Sequence, residues 1–179
     1  MAKPVTSGPR PAREPMDRAA RAVAQWGGEF PDWDLRPMEA LGRLAETALV
    51  ISRDHLSPVF AQFGLQPGEF DVLAALRRSG KPYELTPTDL FDITMMSSGG
   101  MTARLDRLER MGYIARRPNP EDRRGTLVRL THAGLSLIER AVPEHLANQA
   151  RLTACLSDAE LARLSALLKK LLKHAQGAE

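Results

Sequence analysis

Eight arginines lie between Arg104 and Arg129, at positions 104, 107, 110, 116, 117, 123, 124 and 129, against four acids at 106, 109, 121 and 122. That segment carries +4, whereas the whole chain carries only +3. A run built from arginine alone points to phosphate, because the guanidinium fork meets two anionic oxygens at once. The four histidines, at 55, 132, 145 and 174, are scattered along the chain. No Gly-rich phosphate loop, nucleophile elbow or His-rich metal motif accompanies them. The chain therefore reads as a binding protein and not an enzyme, with no catalytic residue, cofactor or metal expected.

The elements that position these arginines can be read from their caps. Thr86 is an N-cap, Pro87 takes the first helical position and Asp89 lies in the first turn. After a brief turn comes a second helix, Ser98 to Met111, closed by Gly112. Two strand-like runs, Tyr113–Arg117 and Thr126–Leu130, flank the polar loop 118–125. Helix, turn, helix and a basic hairpin make a winged helix-turn-helix, which lays its second helix in a DNA major groove. Small and polar residues at the start of that helix, Ser97, Ser98, Gly99 and Thr102, suit close approach to base edges and phosphates. Arg107 and Arg110 follow on its outward face, and Arg123 and Arg124 tip the wing, within reach of a minor groove.

Two arginines break this outward pattern. Met101, Leu105 and Leu108 form the inward stripe of the second helix. At ~100° per residue, Arg104 falls about 60° from Met101, on the apolar side. In the first strand Ile114 faces the core, so Arg116 leans the same way while Arg117 points out. Asp71 lies inside the apolar run Phe70–Leu76 and needs a partner there. These three residues fit either a structural ion pair or an electropositive pocket in which two guanidinium groups receive an anion.

The rest of the chain is helical in pattern. Its 179 residues are 43% apolar with few aromatics. The expected class is mainly α with a small β-wing, a winged lobe flanked by N- and C-terminal dimerisation helices. Residues 1–15, with four prolines and three basic residues, read as a disordered arm. Residues 16–179 read as one domain: helices over 16–64, the winged lobe over 65–130 and C-terminal helices over 131–179. Met16–Gly27 is a helix stopped by Gly27-Gly28, and its Trp26 is either a packing anchor or the wall of a ligand pocket. A long helix, Pro37–Phe63, should bend or divide at Pro58, and Gly68–Arg78 should be nearly buried. The helix after Thr131 has Leu135, Ile138, Val142 and Leu146 as its stripe and a kink at Pro143. Ser157 to Glu160 is a capping box opening a last helix rich in leucine. Lone Cys155 excludes an internal disulfide and reads as a small core residue or a redox sensor. No apolar run approaches the ~20 residues that span a bilayer, and no signal-like segment opens the chain, so the cytoplasm is expected.

Gly112-Tyr113-Ile114, and then the run from Asp122-Arg123-Arg124-Gly125 through Thr131-His132-Ala133-Gly134, resemble the wing and following helix of MarR-family transcription regulators. In element order the resemblance covers residues 37–175. It implies a homodimer of triangular outline, joined through its N- and C-terminal helices, whose two lobes bind double-stranded DNA at a promoter palindrome as a repressor. A narrower resemblance is to the urate-responsive members. It is carried by the extra helix at 16–27, by Phe70-Asp71-Val72-Leu73 and by Met101-Thr102-Ala103-Arg104-Leu105-Asp106-Arg107-Leu108. The ligand residues of that subgroup match Trp26, Asp71, Arg104 and Arg116 here. The resemblance implies that Asp71 pairs with Arg116 in the free protein. A small anionic purine such as urate then stacks on Trp26, takes Arg104, repels Asp71 and shifts the helix off the DNA. The same frame also fits a phenolic or other carboxylate ligand, an oxidant acting through Cys155, or a winged helix used for protein contact.

Overall fold

A computed structural model describes residues 16–94, 98–120, 122 and 125–177, with backbone alone at 98 and 99. The expectations for the arm at 1–15, for Ser97 and for the wing-tip Arg123 and Arg124 lie outside the described residues. The described residues form two compact units, divided between Ile51 and Ser52.

The first unit is a helical pair. Helix α1 (Arg18–Glu29) starts at Asp17, whose carboxylate accepts from the amide of Ala20, and α2 (Arg36–Val50) follows. Contrary to expectation, α1 runs through Gly27-Gly28 and closes when the Phe30 amide donates to the Trp26 carbonyl. Both glycines lie inside the helix at ordinary negative φ, so neither acts as a stop. Gly42 lets α2 approach α1 closely: a Cβ there would lie 3.1 Å from that of Ala19. Arg43 bridges Asp17 and Glu39 across the pair.

A six-residue π-helical turn, Ile51–Leu56, begins on the last residue of the first unit and leads to the short α3 (Ser57–Ala61) of the second. The expected long helix thus divides just before Pro58, which has no N–H to donate back along the ladder. Two side chains steady the turn: Ser57 Oγ donates to the Ser52 carbonyl at 2.8 Å, and the buried Asn148 amide donates to the His55 carbonyl at 3.0 Å. Asn148→Ala removes the second bond and is expected to cost about 1–2 kcal/mol, measurable by urea unfolding.

Helix α4 (Pro67–Arg78) is the centre of this unit, with Phe70, Val72, Leu73, Ala75 and Leu76 all buried. Strand β1 (Glu84–Leu85), α5 (Pro87–Ile93), α6 (Ser98–Arg110), β2 (Ile114–Pro118) and β3 (Thr126–Leu130) complete the lobe. Thr86 caps α5 by accepting from the Asp89 amide, as its type predicts. Gly112, at φ +74°, turns the chain out of α6. The sheet has three antiparallel strands in the order β1-β3-β2, one more than the hairpin alone. In its register Ile114 pairs with Leu130 and Arg116 with Val128.

Helix α7 (His132–Thr153) continues through Pro143. Of the expected stripe, Ile138 is buried, Leu135 and Val142 are half-buried against the core, and only Leu146 is exposed; Gly134, Leu137 and Ala141 complete the buried face. Helix α8 (Asp158–Ala175) has the expected Ser157–Glu160 capping box and buries none of its described residues. Cys155, between these two helices, is exposed and is not a core residue. Among the described residues no helix is long and apolar enough to cross a membrane.

Candidate nucleic-acid interface and anion site

The inward stripe of α6 is as its spacing predicts: Met101, Leu105 and Leu108 are buried, and Thr102, Ala103, Asp106 and Arg110 are exposed. The helix therefore offers one face to the core and one to a partner.

The arginines divide into distinct roles. Arg107, expected on the outward face, is drawn instead onto Glu69 of α4. Its Nη1 donates to both carboxylate oxygens, at 2.5 and 2.6 Å. Glu69 is 1% exposed and also accepts from the amide of Gln66 at 2.8 Å, so one carboxylate caps α4 and holds α6. Arg117 lies bidentate on Glu84 across the sheet, at 2.6 and 3.0 Å, and this guanidinium holds the Glu84 carboxyl below its ordinary range. Arg110 is exposed, its Nε 3.4 Å from the Asp106 carbonyl.

Arg116 is half-buried, but its partners are not the expected one. Its guanidinium donates to Glu109 and Asp106, both at 2.7 Å, and its amide donates to Glu109 at 3.1 Å. The expected Asp71–Arg116 pair does not form. The reason is proximity: β2 leaves the end of α6 through a tight turn, so the acids of that last turn reach Arg116 first.

Arg104 folds inward, as the wheel placed it. Its guanidinium lies between the first turns of α4 and α6, so close that a Cβ at Gly68 or at Gly100 would collide with it. Among the described residues it makes no ion pair. A cation beside two helix N-termini stands at the positive end of both dipoles, which favours the arrival of an anion.

Asp71 borders a cleft of about 450 Å³ lined by Phe70, Asp71, Ala74, Arg77, Arg78, Val142 and His145. It is not the buried acid the sequence suggested; its own surface is exposed. Even so, the surrounding protein displaces enough water to push its carboxyl up, against the pull of His145, Arg78 and Arg104. Arg77 is held by Glu139 at 2.9 Å and Arg78 by the Ile93 carbonyl at 2.9 Å. The His145 ring packs on Phe60 and Phe70, with centroids 5.3 and 4.8 Å away. Its Nδ1 is buried without a hydrogen-bond partner among the described residues, and burial lowers its pKa against the opposing charge of Asp71. In the first unit Trp26 is exposed and stacks with Trp33, which in turn stacks on Phe30 at 4.0 Å.

Glu69, Glu84 and Glu109 were not singled out from sequence. Only Glu69 had a local signal, since Gln66-Pro67-Gly68-Glu69 has the spacing of a capping box.

Comparison with known proteins places this geometry. The MarR family model matches residues 63–125, from the end of α3 to the wing. The HTH-type transcriptional regulator PecS of Dickeya dadantii is 41% identical over 152 residues, 85% of this chain and 91% of PecS. The chain belongs to the MarR family. The multiple antibiotic resistance protein MarR of Escherichia coli is 35% identical over 122 residues, 66% of this chain and 78% of MarR. The crystal structure of a mutant E. coli MarR complexed with operator DNA has a TM-score of 0.67 and 30% identity, covering 82% of this chain and 97% of that one. This MarR-family member is thus a DNA-binding transcription regulator and not an enzyme, and α6 is the second helix of its helix-turn-helix.

Proposed function

We propose that this protein is a homodimeric, cytoplasmic repressor released from a palindromic promoter site by a small anion, urate or a related purine. The observation that carries the reading is Arg104: a half-buried guanidinium on α6, its recognition helix, seated against Gly68 and Gly100, with no ion pair among the described residues. An anion joining Arg104 relieves its position at two helix N-termini and acts directly on the helix that enters DNA. It also raises the cost of the Asp71 charge, which Arg104 now helps to hold. Within the second unit the ligand set is Asp71, Arg104 and Arg116. Arg116 joins only by giving up Glu109 or Asp106, and that exchange would loosen the end of the recognition helix from the wing. The DNA set is Ser97, Ser98, Gly99, Thr102, Arg110, Arg123 and Arg124, with Arg107 considered below. The leucine face of α8, from Leu161 to Leu172, is 38–57% exposed in the single chain and fits a dimer interface.

The test is a mobility shift on a duplex that the wild-type protein selects from a random pool, with urate titrated in. Wild type is expected to release at or below millimolar urate. In Arg104→Ala the half-release concentration should rise at least about tenfold, the loss of one charge-assisted contact. Gly68→Ala should act likewise while leaving DNA affinity within about threefold, because its Cβ displaces only a side chain. Unchanged release in both variants would sink the ligand reading and leave the DNA-binding one standing.

The cleft of Phe70, Val142 and His145 favours a second reading, a phenolic or other aromatic carboxylate held beside Asp71. Thermal shift against purines and aromatic acids separates the two, since only the first depends on Arg104.

A further inference from the structure

We propose that Arg107 positions the recognition helix through Glu69 and does not contact DNA. Three observations carry this. First, Arg107 Nη1 meets both oxygens of Glu69, at 2.5 and 2.6 Å. Second, Glu69 is 1% exposed and Arg107 is the cation that meets it: a buried carboxylate left without its cation is costly. Third, the same carboxylate accepts from the Gln66 amide at 2.8 Å, so it is itself fixed at the first turn of α4.

The consequence is geometric. Arg104 and Arg107 are three residues apart, on neighbouring turns of α6, and both reach the first turn of α4. Arg107 is locked there by charge, whereas Arg104 makes no ion pair among the described residues. The lock sets the rotation of α6 about its own axis and therefore where Thr102 and Arg110 point. Extending Arg107 toward a phosphate would leave the Glu69 charge buried and unpaired, so the paired state is retained on DNA. Base readout demands side-chain placement that phosphate attraction does not. Loss of the lock should weaken specific binding far more than non-specific binding.

The experiment measures affinity against salt for Arg107→Ala, Arg107→Lys, Glu69→Gln and the Glu69→Gln/Arg107→Ala double variant. Each is assayed on a duplex selected by wild type from a random pool and on a shuffled duplex of equal length. Glu69→Gln keeps an oxygen for the Gln66 amide and leaves behind the part-exposed Arg107 instead of a buried charge, so it carries the test even if Arg107→Ala does not fold. The expected result is a loss of about tenfold or more on the selected duplex for both single variants. The double variant should be no worse than either, the shuffled duplex nearly unaffected, and the slope of log affinity against log salt unchanged. Arg107→Lys should recover part of the loss. A slope lower by ~0.9 per subunit in Arg107→Ala, with Glu69→Gln binding like wild type, would show a phosphate contact and overturn the proposal. Altered thermal stability with affinity unchanged in every variant overturns it equally, since the pair would then be structural only.

Discussion

Leu108→Ala is expected to lower the free energy of unfolding by about 2–5 kcal/mol, the span seen for fully buried leucines. Leu108 is 0% exposed and shares the core cluster with Leu73, Leu76, Leu90, Ile114 and Val128. Helices from both sides of the recognition helix and the first wing strand all converge on that cluster, so no single neighbour can move in to fill the cavity. At about 2–4 °C per kcal/mol for a chain of this size, the melting temperature should fall by roughly 10 °C. Urea unfolding should show a lower midpoint at unchanged m-value. A fall under about 1 kcal/mol would mean that the site collapses freely and that the recognition helix is less firmly seated than its burial shows.

Gly134→Ala should cost about 3 kcal/mol, at the top of the usual range for overpacking, because the atom it strikes is backbone. Gly134 lies in the first turn of α7, and a Cβ there would collide with the carbonyl of Tyr113. That carbonyl already accepts from the Thr131 amide at 3.1 Å, while Thr131 Oγ caps Gly134 at 3.0 Å and donates to the Gly112 carbonyl at 2.7 Å. The end of the recognition helix, the start of the wing and the start of α7 therefore meet at one point. Making room for a methyl group separates α7 from the recognition helix. Gly134→Ala should then lose specific DNA affinity as well as stability, whereas a change at the exposed neighbour Ala133 should do neither. Unfolding by circular dichroism and a mobility shift on the selected duplex check both parts.

Counting arginines in the sequence overstates the charge available to phosphate. Arg107, Arg116 and Arg117 are held by Glu69, Glu109 with Asp106, and Glu84, respectively. Much of the apparent excess is therefore internal, joining α4, α6 and the three strands into one lobe. The sign of the net charge was legible from composition; its division between structure and DNA was not. Partners such as Glu69 and Arg107 stand 38 residues apart, and no local pattern links them.

What the sequence by itself determined was local. Thr86, Thr131 and Ser157 are caps because a short oxygen-bearing side chain reaches an amide three residues on, wherever the fold puts it. Met101, Leu105 and Leu108 face inward because helical spacing allows nothing else, and Arg104 follows from the same angle. Pro58 divides its helix because it has no amide hydrogen. The tertiary structure decided the rest. It chose Glu109 and Asp106 over Asp71 for Arg116, added Leu137 and Ala141 to the buried face of α7, and left Asp71 at the mouth of a cleft. Such choices turn on which side chains packing brings within about 4 Å, and Coulomb attraction and burial at that range outweigh any preference the chain carries residue by residue.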